Sequence, residues 1–105
     1  MKTWRDYFAE KTRYVRASNR YITKSAVQKE ILYDTLSKMV EACRDEVYVA
    51  TAHLPEAQRY AAVRKVTLQG VMSDPEKLHC VEAFAATVPH TDPGVGSRDY
   101  APEAA

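Results

Sequence analysis

The side chains able to do nucleophilic or metal chemistry are few in this sequence. Cys43 and Cys80 are the only thiols, and His53, His79 and His90 the only imidazoles. His79 stands next to Cys80, the nearest approach to a metal pair. Neighbouring residues on a helix point about 100° apart, so the two cannot readily chelate one ion. The same divergence argues against a thiolate–imidazole catalytic pair, and no third group is placed to orient it. Glycine-rich phosphate loops, HExxH and GxSxG are absent. The acidic clusters Asp45-Glu46 and Asp74/Glu76 fall where helices are expected to start, and there carboxylates cap backbone donors. No catalytic residue, metal site or cofactor is expected, so the chain reads as a non-enzyme. Both cysteines lie on apolar stripes and read as buried thiols in a reducing compartment.

The residues with recognition chemistry are at the head. Trp4, Arg5, Tyr7, Phe8, Arg13, Tyr14, Arg16, Arg20 and Tyr21 interleave aromatic rings with cations. Such side chains bury a large area while keeping a polar handle, and they are enriched at binding hot spots. Residues 1–29 carry eight bases against two acids, a net +6, and the remaining seven bases and twelve acids leave the rest at −5. A basic head on an acidic body suits an acidic protein face, anionic headgroups or RNA phosphates. The alternative is that the aromatics join the chain's own core while the bases are solvated.

The elements that must position these residues read as helices. Only Gly70 occurs before residue 90, which leaves little material for tight hairpins. The spacing predicts a first helix over 4–17, capped by Thr3 with Asp6, with Lys11 interrupting its apolar stripe. A second starts at Ser25-x-x-Gln28 and runs along Val27, Ile31, Leu32, Leu36, Met39, Val40 and Cys43. Arg44-Asp45-Glu46 reads as a polar break, followed by a helical turn over 47–53. A third is expected over 55–68, with Pro55 at its first position and Tyr60, Val63 and Val66 or Thr67 facing inward. Gly70 would end it. Ser73-Asp74-Pro75-Glu76 is a strong start for a last helix over 75–87. The expected fold is all-α, a small open bundle of about four helices in one domain, 1–88. Residues 89–105 are expected to form an extended or disordered tail. No segment approaches the roughly 18 apolar residues that cross a bilayer. The Arg-rich aromatic start is somewhat like a mitochondrial targeting segment, although Asp6 and Glu10 weigh against a cleaved one, and no secretory signal is expected.

The run Glu46-Val47, Ala50, Leu54-Pro55-Glu56, Tyr60 and Arg64-Lys65-Val66 resembles the 14 kDa subunit family of mitochondrial ubiquinol–cytochrome c reductase. This is the subunit 7, or ubiquinone-binding-protein, family of respiratory complex III. Arg13-Tyr14, Asn19-Arg20-Tyr21 and Asp74-Pro75-Glu76-Lys77 are similar in order and spacing to its flanking segments. The likeness spans about residues 10–80. The family's later Leu-Pro-x-x-x-Trp run is replaced here by a helix carrying Val81, Phe84 and Ala85. The resemblance implies an all-α accessory subunit without haem, metal or quinone chemistry. Such a subunit lies on the matrix side of the inner membrane against cytochrome b and the core subunits, and joins cytochrome b early in assembly. It also implies that Trp4–Tyr21 packs on the matrix face of cytochrome b. Leu54, Pro55, Glu56, Tyr60, Arg64 and Lys65 would then form the family's central turn and helix. The charge split suits peripheral contact with an anionic bilayer, where each nearby base contributes about 1 kcal/mol. The rival reading is an RNA-contacting or other helical accessory subunit of an organellar complex such as the mitochondrial ribosome.

Overall fold

A computed structural model describes residues 1–14 and 24–88. The helices are α1 (Trp4–Lys11), α2 (Lys24–Ala50), α3 (Glu56–Arg64), α4 (Leu68–Met72) and α5 (Pro75–Ala85), with a 3-10 turn over Thr12–Tyr14 after α1. No strand occurs among the described residues, so the chain is all-α. The expected tail over 89–105 lies outside the described residues.

The spine is α2, whose 27 residues span about 40 Å at 1.5 Å per residue. Leu36, Met39, Val40, Ala42 and Cys43 recur on one face of it and are buried. Phe8 from α1, Val71 from α4 and Val81 from α5 close over them. Val27 and Ile31 meet Val88 in a smaller cluster beyond the end of α5. Removing each large apolar side chain from water contributes about 1.5–3 kcal/mol, so this seam holds α1, α4 and α5 to the spine. Phe8 and Phe84 meet edge to face, with centroids 5.9 Å apart. The expected α5 stripe is observed, with Val81 and Val88 buried and Leu78, Phe84 and Ala85 half-buried.

Several boundaries differ from expectation. The first α-helix stops at Lys11, where Thr12 turns its hydroxyl back to the Phe8 carbonyl at 2.7 Å and the chain tightens into the 3-10 turn. Helix α2 runs through Arg44-Asp45-Glu46 without a break, because each of these residues is satisfied from outside the helix. Arg44 donates to the Val66 carbonyl at 2.9 and 3.1 Å, Asp45 pairs with Lys11, and Glu46 accepts from Trp4 N–H. These acids are therefore not helix starts. Ser25 sits inside α2 rather than capping it.

Pro55 is the residue before α3, not its first. With φ −58° and ψ 149° it is extended, and its carbonyl takes the Arg59 N–H. Helix α3 ends at Arg64. Thr67 then caps α4, accepting the Gly70 N–H at 3.0 Å. Gly70 is thus a helical residue with negative φ and not a terminator. Tyr60 does not face inward, being 45% exposed, and α3 has no buried residue. Asp74 and Pro75 behave as expected. The Asp74 carboxylate accepts from Glu76 N–H at 3.1 Å, and Pro75 occupies the first turn.

Candidate partner interface

The head folds onto its own chain more than its composition suggests. Thr3 N–H donates to the Asp6 carboxylate at 2.8 Å, fixing the start of α1. Trp4 N–H, a donor that the first helical turn leaves unsatisfied, reaches Glu46 Oε2 on α2 at 3.0 Å. The Trp4 ring packs against the core and lies 4.5 Å from the Arg5 guanidinium carbon and 5.5 Å from Lys77 Nζ. Arg5 also pairs with Glu76 on α5. Lys11 bridges to Asp45 at 2.9 Å and Glu41 at 3.6 Å on α2. The Asp45 hydrogen bond, more than the opposing cost of burial, raises its pKa above the ordinary 10.5. Lys2 holds Glu10 at 2.6 Å.

Phe8, expected among the partner-facing residues, is only 5% exposed and belongs to the core. Its position on α1 turns it toward Phe84, so its ring is spent inside the chain. Arg13 is exposed, and Tyr14 ends the 3-10 turn. Arg16, Arg20 and Tyr21 lie outside the described residues. Lys11 interrupts the apolar stripe in the spacing, yet with Arg5 it is one of the two α1 bases that tie the head down.

The second set of candidate residues surrounds the elbow between α2 and α3. Helix α2 ends through Thr51, whose hydroxyl donates to the Val47 carbonyl at 2.7 Å. Leu54 N–H returns to the Thr51 carbonyl at 2.9 Å, and Leu54 is half-buried. Pro55 and Glu56 are exposed at the bend, and Tyr60, Arg64 and Lys65 are exposed along and just after α3. Tyr60 meets Tyr48 of α2 at 6.1 Å between centroids. Arg59 donates from Nε to the Tyr48 carbonyl at 2.7 Å, with its guanidinium carbon 3.4 Å from the centre of the Tyr48 ring. Neither Tyr48 nor Arg59 was foreseen. They are eleven positions apart, and only the Pro55 elbow brings them together.

A cleft of about 200 Å³ lies behind this hairpin, lined among others by Cys43, Glu46, Lys65, Thr67 and Lys77. Cys43 is buried at its wall, and that burial pushes its thiol above the ordinary 9.0. Cys80 is only half-buried, short of the expected full burial, because it sits at the edge of the α5 stripe. His53 and His79 are exposed. Among the described residues no three His, Cys, Asp or Glu side chains gather where they could hold a metal, and no helix is long and apolar enough to cross a membrane. His90 lies outside the described residues.

No family model matches the chain, and no curated protein or solved structure matches it either.

Proposed function

We propose that this chain is a non-catalytic accessory subunit of a larger assembly. Of the assemblies its sequence suggests, mitochondrial respiratory complex III is the one we favour. In that role it lies on the matrix side of the inner membrane and packs against cytochrome b and the core subunits. It touches the anionic bilayer surface peripherally and contributes burial and bridging rather than chemistry. The observation that carries this reading is α3, a helix of nine residues with no buried residue. A short polar helix gains little stability from propensity alone. One held out from the core with Tyr60 and Arg64 exposed on its surface is built for contact with something else. Further support comes from the residues themselves. Leu54-Pro55-Glu56 forms a defined elbow opening a helix that carries Tyr60 and Arg64, in keeping with the resemblance. The RNA reading draws less support, because Lys2, Arg5 and Lys11 are already paired with carboxylates of the chain and phosphate contact would have to displace these.

The deciding experiment is native sizing. The chain is tagged at its C-terminus, membranes are extracted in mild detergent, and the co-migrating species are identified. The expected result is co-migration with haem b absorbance and cytochrome b. Migration with RNA, or as a lone small species, overturns the reading.

A further inference from the structure

Among the described residues, the bases that hold a carboxylate of the chain lie in the head and on α5, while those that hold none are scattered over the 3-10 turn and α2 and gathered at α3. Lys2, Arg5 and Lys11 of the head and Lys77 of α5 each hold a carboxylate of the chain. Arg59, Arg64 and Lys65 have none among the described residues, and they fall within seven positions on and just after α3. Tyr60 and Arg64 are one helical turn apart and therefore share a face. Tyr48, 39% exposed, extends that face onto α2 through its contacts with Tyr60 and Arg59. Arg59 is fixed by its hydrogen bond to the Tyr48 carbonyl, so it loses less side-chain freedom on meeting a partner than a loose arginine would.

We propose that the α3 face built on Tyr48, Arg59, Tyr60, Arg64 and Lys65 docks an acidic, amphipathic segment of a partner protein. Carboxylates of that segment meet Arg64 and Lys65, and its apolar side chains cover the two tyrosine rings. Charge complementarity names the occupant. Three cations without an ion pair among the described residues call for an acidic strip. The paired tyrosines call for apolar area beside it, as at protein hot spots. Three cations fall short of the clusters of about four to eight bases that mark a lipid-binding segment. This inference rests on the accessory-subunit reading and adds to it a surface and a partner chemistry.

The test takes the full chain and four probes. They are a labelled synthetic amphipathic helix with Glu beside a Leu face, the same peptide with Lys for Glu, phosphatidylserine vesicles, and a single-stranded RNA oligonucleotide. The acidic peptide should bind in preference to the other three. Its affinity should fall at least about tenfold in Tyr60→Ala and in Arg64→Glu, the loss expected at a hot spot, and stay unchanged in Lys38→Glu on α2. Arg64 is exposed and makes no ion pair among the described residues, so Arg64→Glu decides the matter if far-UV circular dichroism shows Tyr60→Ala to be misfolded. No binding of the acidic peptide, stronger binding of the vesicles or RNA, or equal loss in Lys38→Glu overturns the proposal. Native sizing separates the two readings. If the chain co-migrates with cytochrome b and Arg64→Glu co-migrates as well, the docking face is wrong and the subunit reading stands. If the wild-type chain does not co-migrate, the subunit reading fails, and the peptide titration alone decides the face.

Discussion

Lys11 and Cys43 sit on opposite sides of the same seam, and each takes its chemistry from what packs against it. The lysine stem lies over α2 while its ammonium reaches Asp45 and Glu41, so a charged residue occupies an inward position without a bare buried charge. The thiol of Cys43 is covered by the core and held above its ordinary pKa by burial. A thiol reacts as its thiolate, so burial slows it twice, by access and by protonation. In the native protein at about pH 8, iodoacetamide should therefore modify the half-buried Cys80 well before Cys43, with the order read by peptide mass spectrometry. Faster labelling of Cys43 would mean that the α2 seam is open.

At the scale of elements, the connection from α3 to α5 shows how a terminator in sequence becomes an interior residue in the fold. Thr67 captures the chain first. Its hydroxyl takes the Gly70 N–H and starts α4, and the glycine is carried into the helix. A Cβ placed at Gly70 would stand 3.3 Å from that same hydroxyl, which its hydrogen bond keeps from moving aside. Two opposing effects follow. Alanine is worth roughly 0.5–1 kcal/mol over glycine in a helix, and the tight contact takes part of this back. Gly70→Ala should thus stabilise the wild-type chain by less than that amount. In a Thr67→Ala background it should give the full increment, even though Thr67→Ala itself costs about 1 kcal/mol of capping. Thermal or urea unfolding of the four variants in a double-mutant cycle measures the difference, and strict additivity would remove the contact from the account.

Across the whole molecule, α1 is held to α2 by Lys11 and rests its Trp4 ring beside Lys77 of α5. Lys11 and Lys77 have pKa values raised above 10.5, chiefly by their hydrogen bonds to Asp45 and Asp74. A raised lysine contributes stability that is fully present below 10.5 and is lost as the pH climbs through the higher folded value. Asp74 is held below 3.8, first by Lys77, so its contribution is present above 3.8 and fades as the pH falls through the lower folded value. Stability from these groups should therefore be level across neutral pH and decline at both extremes. Trp4, the single tryptophan, reports it, since its ring packs on the core beside Lys77. Its emission maximum should stay constant through neutrality and move to the red above about pH 10.5. Lys11→Arg should delay that shift, because arginine keeps its charge to higher pH. The maximum is the right readout, since tyrosinates formed in the same range quench intensity. A red shift already complete at pH 8 would show that the pairs do not hold α1.

The all-α class, the apolar seam of α2 and α5, the Asp74-Pro75 start and the Thr3/Asp6 turn were legible in the sequence. Each is set by interactions within a few residues, either side-chain periodicity or a cap reaching its own helix. What only the tertiary structure decided depends on partners far along the chain. Arg44-Asp45-Glu46 reads as a break until Val66, Lys11 and Trp4 are brought beside it. Phe8 reads as a surface aromatic until Phe84 faces it. The basic head reads as the contact surface until carboxylates from α2 and α5 take up Arg5 and Lys11. The Tyr48–Arg59 stack has no signature in spacing, because it exists only once the Pro55 elbow folds α3 back along α2. Local periodicity fixes which residues can turn inward. Which charges remain for a partner is fixed by the long-range pairing that the packed helices impose.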